Sequence, residues 1–249
     1  MPHNYEILPV KDQNHKKIVK KDLLFDLPMR VLAVAKTGQG KGVWILNALL
    51  RPEPFYGNDF EGEDIYLFSP SIRTDKKTQL LIKNKKIPNT NLYESLEEES
   101  LSAVLDFIQE QYEEAVENNE PIKHSMIVID DCMPDMKRKQ SGAFQDLFIR
   151  SRHFCCSVIS TLQFYNKCPP VCRNNASGII IYEVNNKQMD DVISDHSYLD
   201  NKKDFMKMYR KAVSPSKHSF MVINYSNPKD LMYLDSSFDP IVFSDSEEE

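Results

Sequence analysis

The residues best suited to chemistry in this sequence form a short glycine-containing loop that includes a lysine. Glycine lets backbone N–H groups approach an anion closely, and the N-terminus of a following helix adds positive potential. A lysine where the helix begins can reach the β- and γ-phosphates of a nucleotide. The loop therefore predicts a binding site for a nucleoside triphosphate, and its residues are Ala35, Lys36, Thr37, Gly38, Gln39, Gly40, Lys41, Gly42 and Val43.

This loop resembles the phosphate-loop pattern G-x-x-x-x-G-K-[ST] of nucleotide hydrolases, with two departures. Ala35 stands at the first glycine position, which is a mild change if the backbone there has a negative φ. Gly42 stands where a Ser or Thr hydroxyl normally ligates Mg²⁺. The alternative is an ordinary glycine-containing turn between a strand and a helix. Under the phosphate-loop interpretation, a water could take the place of the missing hydroxyl ligand.

Two carboxylates follow the apolar run Ser-Met-Ile-Val-Ile that ends about 90 residues after the loop. In a phosphate-loop domain, an acid at the carboxyl end of such a strand holds Mg²⁺ and its water shell. We assign this metal role to Asp130 and the activation of the attacking water to Asp131. Gln163 follows a third apolar run, where its amide could orient water or sense the γ-phosphate. A capping role in the next loop is the alternative for Gln163.

These residues need elements that bring them to one edge of a sheet. Six mostly apolar runs, at residues 29–34, 64–70, 125–129, 156–163, 179–182 and 220–225, alternate with helical patterns. This alternation predicts an α/β fold with a mostly parallel central sheet and helices on both faces. The strongest helical pattern covers residues 96–119, where apolar residues recur at three- and four-residue steps. Ligands of open α/β sheets bind at the carboxyl ends of the strands. All of the candidate residues above fall there in the predicted order.

Changes in composition along the chain set the predicted domain boundaries. Residues 1–27 form a polar, basic arm in this interpretation, residues 28–243 the nucleotide-binding domain, and residues 244–249 an acidic tail. The net charge is −6, of which the tail supplies four negative charges, so the chain lacks the overall basic character of a passive nucleic-acid coat. No stretch is apolar enough to span a membrane, and we expect no signal peptide. The five cysteines are expected to be reduced thiols.

Several segments in this order resemble the DNA-packaging ATPases of large DNA viruses and virophages. These are relatives of the poxvirus packaging ATPase within the FtsK–HerA branch of phosphate-loop motors. The resemblance covers roughly residues 30–196. It rests on Val34 to Lys41, Tyr66 to Pro70, Ile127 to Asp131, Leu147 to His153, Ser157 to Tyr165 and Arg173 to Ala176.

The resemblance implies a homo-oligomeric ring that hydrolyses ATP with Mg²⁺ to move double-stranded DNA into a capsid. A capsid vertex or portal protein would be its partner, in the host cytoplasm at the viral factory and also in the virion. By the matching motifs, Lys41 binds phosphate, Asp130 and Asp131 are the acidic pair, and Gln163 is the sensor. Arg152, or else Arg150, would reach the nucleotide of a neighbouring subunit, where an arginine stabilises transition-state charge.

Two other functions remain open on the sequence. The first is a nucleotide-binding structural subunit that has lost turnover, which the glycine at position 42 motivates. The second is another phosphate-loop enzyme, such as a helicase or a nucleotide kinase. A kinase would need an arginine-rich lid, which the sequence lacks. Residues 133–142, with three basic residues, are a candidate DNA-contacting loop by position and charge.

Overall fold

A computed structural model of the protein describes residues 17–132 and 142–241. Its centre is a sheet of eight strands in the order β3-β2-β4-β5-β1-β6-β7-β8. The first six of these run parallel, and β7 and β8 complete the sheet through antiparallel pairing. The strands are β1 (Arg30–Val34), β2 (Ile65–Phe68), β3 (Leu92–Tyr93), β4 (Ser125–Ile129), β5 (Cys156–Leu162), β6 (Gly178–Ile181), β7 (Met221–Asn224) and β8 (Tyr233–Leu234).

Seven α-helices lie in the described residues, and both faces of the sheet are covered by them. They are α1 (Lys41–Leu50), α2 (Lys76–Lys85), α3 (Glu98–Glu117), α4 (Gly142–Arg150), α5 (Pro170–Asn175), α6 (Asn186–His196) and α7 (Lys202–Val213). Helices α1 and α2 contribute buried residues to one core layer, and the other five contribute to the layer on the opposite face. The predicted α/β fold with a mostly parallel sheet is confirmed.

Alternation along the strands explains the two core layers. In β1, Leu32 and Val34 point to the layer of α3 to α7, whereas Val31 and Ala33 point to the layer of α1 and α2. Successive side chains of a strand face opposite sides, so a strand covered on both faces must be apolar throughout. This is why β1 is buried along its whole length.

The sequence patterns located the main elements but missed the short ones. The helical pattern over residues 96–119 corresponds to α3, and the apolar runs correspond to β1, β2, β4, β5, β6 and β7. The two-residue strands β3 and β8 and the short helix α5 carry too few residues for a periodic signal. The antiparallel direction of β7 was also not predicted, because strand direction depends on pairing across the sheet.

The chain segment before β1 contributes to the core. Leu24, Phe25 and Leu27 are buried in the layer of α1 and α2. A Cβ atom at Gly178 would lie 2.0 Å from Cε1 of Phe25, so the ring needs glycine at the start of β6. The last residues before β1 therefore cover one face of the sheet, while the domain boundary at residue 28 remains a prediction.

None of the helices in the described ranges combines the length and apolarity that crossing a bilayer requires. All five cysteines are buried and unbridged. Residues 1–16 of the predicted basic arm and residues 244–249 of the predicted acidic tail lie outside the described residues.

Candidate nucleotide site

The loop between β1 and α1 contains two glycines in the left-handed backbone region. Gly38 and Gly40 have φ values of 80° and 113°, in the left-handed region that L side chains rarely adopt. Gly40 is the N-cap residue of α1. Ala35 is not among the residues with positive φ, so no glycine is needed at this position. The first departure from the motif is therefore compatible with the loop conformation.

The side chain and carbonyl of Gln39 tie the loop to its surroundings. Its Oε1 accepts a hydrogen bond from the backbone N–H of Lys36 at 2.5 Å, and its Nε2 donates to the Glu183 carbonyl at 2.9 Å. The carbonyl oxygen of Gln39 accepts a hydrogen bond from Nδ1 of His218 at 2.9 Å. The loop is therefore anchored to segments that follow β6 and precede β7.

Lys41 lies at the first position of α1 and is 7% exposed. Its Nζ donates to the carbonyl of Ala35 at 3.0 Å and lies 3.2 Å from Oδ1 of Asp131. An ammonium group carries three donors, so one donor remains for a phosphate oxygen beyond these two contacts. The structure thus brings together two residues 90 positions apart, as the motifs predicted.

Gln163 joins the same carboxylate. Its Nε2 donates a hydrogen bond to Oδ1 of Asp131 at 3.2 Å. Lys41 and Gln163 therefore converge on one oxygen atom of Asp131. The side chain of Asp131 is 37% exposed, so it is open to solvent, which a group that activates water must be. Its backbone has a φ of 56°, a left-handed conformation that Asp tolerates better than most residues.

The hydroxyl of Thr161 connects the two acids, and the sequence patterns did not identify it. It donates to Oδ1 of Asp130 at 2.7 Å and accepts from the backbone N–H of Asp131 at 3.0 Å. Thr161 precedes Gln163 by two residues near the carboxyl end of β5, next to β4. Because β5 also contains Ser157 and Ser160, the sequence carried no signal that distinguished Thr161.

Burial raises the pKa of Asp130, and this is the largest influence on that group. The hydrogen bond from Thr161 and the charge of Lys41 act in the opposite direction, whereas the neighbouring charge of Asp131 raises the pKa further. Desolvation disfavours the charged form of a carboxylate. Thr161 therefore helps to keep Asp130 ionised, which is the form that binds a metal ion.

The residues present fit a Mg²⁺ ion that is held mainly by substrate. Within the described residues, no cluster of three or more His, Cys, Asp or Glu side chains could hold a metal alone. Mg²⁺ in phosphate-transfer sites usually takes one or two carboxylates together with phosphates and water. Asp130, at the carboxyl end of β4, is a carboxylate of this kind. Gly42 supplies no side-chain ligand, but a Cβ there would lie at an ordinary 3.5 Å from Cδ of Lys77.

Arg150 and Arg152 lie away from these residues. Arg150 ends α4 and hydrogen-bonds through Nη2 to Oε1 of Gln109 in α3. Arg152 is exposed, and its charge contributes to lowering the pKa of Arg30, the first residue of β1, to about 10. Burial is the larger cause of that shift. Both arginines precede β5, whose seven residues span roughly 23 Å, so they belong to the edge of the sheet opposite Gln163.

Most of the candidate DNA-contacting segment, residues 133–141, lies outside the described residues.

The described geometry nevertheless defines the class of protein. A glycine loop between a buried strand and a helix, its lysine, and an acidic pair on a separate strand are the parts of a phosphate-loop NTPase. The acid-bearing strand β4 is separated from β1 by β5, which supplies the glutamine.

The chain belongs to the poxvirus A32 protein family, whose sequence profile matches residues 16–233. The predicted resemblance to viral DNA-packaging ATPases is thereby confirmed. No curated protein sequence matches the chain.

Solved structures of similar fold include two viral packaging proteins and one bacterial ATPase. The genome packaging NTPase B204 from Sulfolobus turreted icosahedral virus 2, in complex with AMPPCP, is 13% identical with a TM-score of 0.52, covering 80% of this chain and 93% of that chain. The DNA-packaging ATPase B204 from Sulfolobus turreted icosahedral virus is 13% identical with a TM-score of 0.53, covering 80% of this chain and 94% of that chain.

EssC (ATPases 2 and 3) from Geobacillus thermodenitrificans is 14% identical with a TM-score of 0.54, covering 78% of this chain and 37% of that chain. At these identities the likenesses concern the fold.

Proposed function

We propose that this protein hydrolyses ATP and uses the energy to translocate double-stranded viral DNA into a capsid. The observation that carries the proposal is the convergence of Lys41 and Gln163 on Oδ1 of Asp131 beside the phosphate loop. A phosphate-binding lysine and a water-orienting amide thus share one general-base candidate. The family membership and the packaging function of B204 support DNA as the substrate that is moved.

In this proposal each residue has a distinct role. The backbone of residues 35–43 and the N-terminus of α1 bind the phosphates, and Lys41 neutralises their charge. Asp131 accepts a proton from the attacking water, and Gln163 orients that water. Asp130, held by Thr161, binds Mg²⁺, which supplies charge neutralisation at the phosphate oxygens when it is bound.

We further propose that the protein acts as a homo-oligomeric ring in which Arg152 reaches the nucleotide of the next subunit. Arg152 is exposed, whereas Arg150 is engaged with Gln109, so Arg152 is the better candidate for this role. Both lie too far from Gln163 to serve the site of their own chain. A capsid vertex or portal protein would receive the ring, at the viral factory in the host cytoplasm and in the virion.

Gly42 favours a second candidate function. Without a hydroxyl at this position, Mg²⁺ has one protein ligand fewer than in the usual motif, and turnover could be lost. The protein would then bind nucleotide as a structural subunit of the packaging assembly. Nucleotide binding is common to both candidates and is in keeping with the nucleotide complexes of B204.

Steady-state ATP hydrolysis distinguishes these candidates. The protein is assayed with Mg²⁺, with EDTA, and with Mg²⁺ plus blunt double-stranded DNA. A packaging motor should hydrolyse ATP only with Mg²⁺ and faster with double-stranded DNA than with single-stranded DNA. Binding of ATP without hydrolysis under all conditions would favour the structural subunit. Preferential stimulation by single-stranded DNA would favour a helicase.

The proposed role of Arg152 at the neighbouring subunit's nucleotide is tested by mixing two variants. Arg152→Ala protein and Asp131→Asn protein are assayed separately and together, because a ring that mixes them contains some interfaces with both functional groups intact. A trans arginine predicts activity in the mixture above that of either variant alone. No such gain, despite mixed assembly, would contradict the role of Arg152.

A further inference from the structure

A cavity of about 560 Å³ opens at the edge of the sheet opposite the phosphate loop. Its walls are the end of α5, the end of α6 and the segment between β7 and β8. Arg173 precedes β6, and Tyr225 follows the antiparallel β7, so both belong to the amino edge of the parallel strands. None of the residues assigned to nucleotide chemistry lines this cavity.

The charged groups of the lining leave one positive charge in excess. Arg173 forms an ion pair through Nη1 with Oδ2 of Asp195, and the same carboxylate oxygen accepts a hydrogen bond from the hydroxyl of Tyr165 at 2.7 Å. His196 also lines the cavity, and burial lowers its pKa to about 4, so the ring is neutral near pH 7. Lys229 is exposed and adds a second cation. The cavity therefore favours an anionic occupant.

Arg173 has hydrogen-bond donors to spare. A guanidinium carries five N–H donors and no acceptor, and Nη1 donates to Asp195. The Nε atom of Arg173 is buried, and no group in residues 17–132 and 142–241 accepts a hydrogen bond from it. Guanidinium groups bind carboxylates with two parallel hydrogen bonds where the geometry permits. Arg173 therefore favours a carboxylate as part of the occupant.

The rest of the lining suits a peptide. The side chains of Asn174 and Asn227 carry amide donors and acceptors, which are the groups that a peptide backbone also presents. Tyr198 is 58% exposed, and the ammonium of Lys229 lies 5.7 Å from the centre of its ring. The lining can therefore hydrogen-bond to the backbone of an extended segment as well as bind its carboxylates.

The chain runs toward this cavity at residue 241. Pro240 pairs with Leu234 in the antiparallel direction, and the N–H of Ile241 donates to the carbonyl of Tyr233 at 3.0 Å. Strand β8 runs from the amino edge to the carboxyl edge, because it is antiparallel to β7. Residues 240–241 therefore run back to the amino edge. Met232, the residue before Tyr233, lines the cavity, and Ile241 packs against the core layer that contains Met232.

The sequence after residue 241 has the charge that the cavity favours. The acidic tail, residues 244–249, reads Ser-Asp-Ser-Glu-Glu-Glu, with four carboxylates and no basic residue. An extended chain advances about 3.3 Å per residue, so residues 242–249 reach up to roughly 26 Å. This reach is ample for a cavity whose wall begins at the residue before Tyr233. Sequence, direction and charge thus agree on one occupant.

We propose that the acidic tail docks into this cavity of its own chain, with its carboxylates bound to Arg173 and Lys229. A tethered segment has an effective concentration on the order of millimolar, so weak charge pairing is enough to hold it. Salt should weaken the docking, because exposed charges are screened over about 10 Å at 0.1 M ionic strength. The docking is independent of the nucleotide site, which lies at the other edge of the sheet.

A disulfide cross-link in the full chain tests the docking directly. Ser246→Cys is combined either with Ser226→Cys, between two residues that line the cavity, or with Ser237→Cys, an exposed control in the loop after β8. Ser237 is closer to Ser246 along the chain, so an undocked tail would reach it more easily. The five native cysteines are buried, so mild oxidation acts on the introduced pair. At low salt the Ser226→Cys pair should cross-link at least about tenfold faster than the Ser237→Cys pair, because docking raises the effective concentration there.

Two charge reversals supply matched variants. Lys229→Glu, added to the Ser226→Cys pair, changes the lining and should slow the cross-link about tenfold, because it replaces attraction with repulsion at the docking site. Lys211→Glu changes the net charge equally at an exposed residue of α7 outside the cavity and should leave the rate unchanged. Sodium chloride at about 0.5 M should slow the Ser226→Cys pair without any further substitution. Thermal unfolding checks that each variant is folded.

Three outcomes would overturn the proposal. The first is cross-linking of the Ser237→Cys pair as fast as, or faster than, the Ser226→Cys pair. The second is a rate for the Ser226→Cys pair that neither salt nor Lys229→Glu lowers, because charge pairing would then not hold the tail. The third is a bond between two chains in place of a bond within one, which non-reducing electrophoresis distinguishes. None of these readouts involves nucleotide, so they do not depend on the proposed function.

Discussion

The hydroxyl oxygen of Thr161 lies 2.7 Å from Oδ1 of Asp130 and donates a hydrogen bond to it. The same oxygen accepts the backbone N–H of Asp131, so one side chain of β5 positions both acids of the neighbouring strand. Asp131 is in a left-handed conformation, which the bond from Thr161 helps to hold. The acidic pair therefore depends on a residue that carries no charge.

We predict that Thr161→Val lowers both stability and turnover. Valine has the same shape but leaves the N–H of Asp131 without this acceptor, at a cost of about 1–3 kcal/mol in the free energy of unfolding. Turnover should fall because Asp130 loses a donor that holds its carboxylate. Urea unfolding and ATP hydrolysis measure the two effects. Thr161→Ser, which keeps the hydroxyl, should behave much like the wild type, and equal loss in both variants would contradict this role.

Lys41→Ala should abolish nucleotide binding or turnover while the fold is retained. The lysine contributes its charge to the phosphates, and its contacts with Ala35 and Asp131 lie at the site rather than in a core layer. Calorimetry with AMPPCP and a hydrolysis assay are the measurements. Lys83→Ala removes an exposed lysine of α2 and serves as the control. Unchanged hydrolysis in well-folded Lys41→Ala protein would remove the phosphate-loop assignment.

Asp131→Asn should slow hydrolysis by about 10²- to 10⁴-fold and change nucleotide affinity little. Asparagine keeps the shape of the side chain but cannot accept the proton from water. The variant therefore loses stabilisation of the transition state and not binding of the nucleotide. Single-turnover hydrolysis and AMPPCP titration separate the two quantities. Weakened binding with normal turnover would show that the two acids have other roles than those we assign.

Gly42→Ser should lower the Mg²⁺ concentration needed for half-maximal hydrolysis, or raise the maximal rate. A serine Cβ fits, since it would lie 3.5 Å from Cδ of Lys77, and the hydroxyl would restore the missing ligand. Gly42→Ala is the matched control, because it adds the same Cβ and improves helix propensity without a ligand. A similar Mg²⁺ dependence in all three proteins would mean that Asp130 and water suffice for the metal.

His196 should make the folded state less stable in mild acid. Burial lowers its pKa from 6.5 to about 4, so between these values the unfolded chain binds a proton that the folded chain does not. Stability contributed by the neutral ring is therefore present above pH 6.5 and is lost as the pH falls toward 4. The loss is on the order of 3 kcal/mol, at about 1.4 kcal/mol per pKa unit.

Urea unfolding at pH 7.5 and pH 4.5 tests this prediction. His196 contacts the hydroxyls of Tyr165 and Tyr225, and glutamine at this position keeps a donor and an acceptor without titrating. His196→Gln should reduce the difference in unfolding free energy between the two pH values. Equal pH dependence of the wild type and the folded His196→Gln variant would contradict the prediction.

The sequence alone was sufficient to predict the main strands and helices and most of the side chains of the candidate site. The apolar runs of β1, β4 and β5 are buried along all or nearly all of their length, and such runs have a strong local signature. Because parallel strands share a carboxyl edge, the loop, Asp131 and Gln163 could be predicted to meet, and the structure shows that they do. The catalytic roles assigned to these residues remain predictions.

The contacts between these side chains and their positions in the sheet follow only from the tertiary structure. The bonds of Thr161 to the acidic pair, and the opposite location of Arg152, depend on strands that are neighbours in the sheet but distant in the chain. Gly40 likewise lies beside Tyr182 and His218, which follow it by more than 140 positions in the chain. Sequence patterns depend on residues that are close together in the chain. Side-chain contacts of this kind arise only when the packed sheet brings distant segments within a few ångströms of each other.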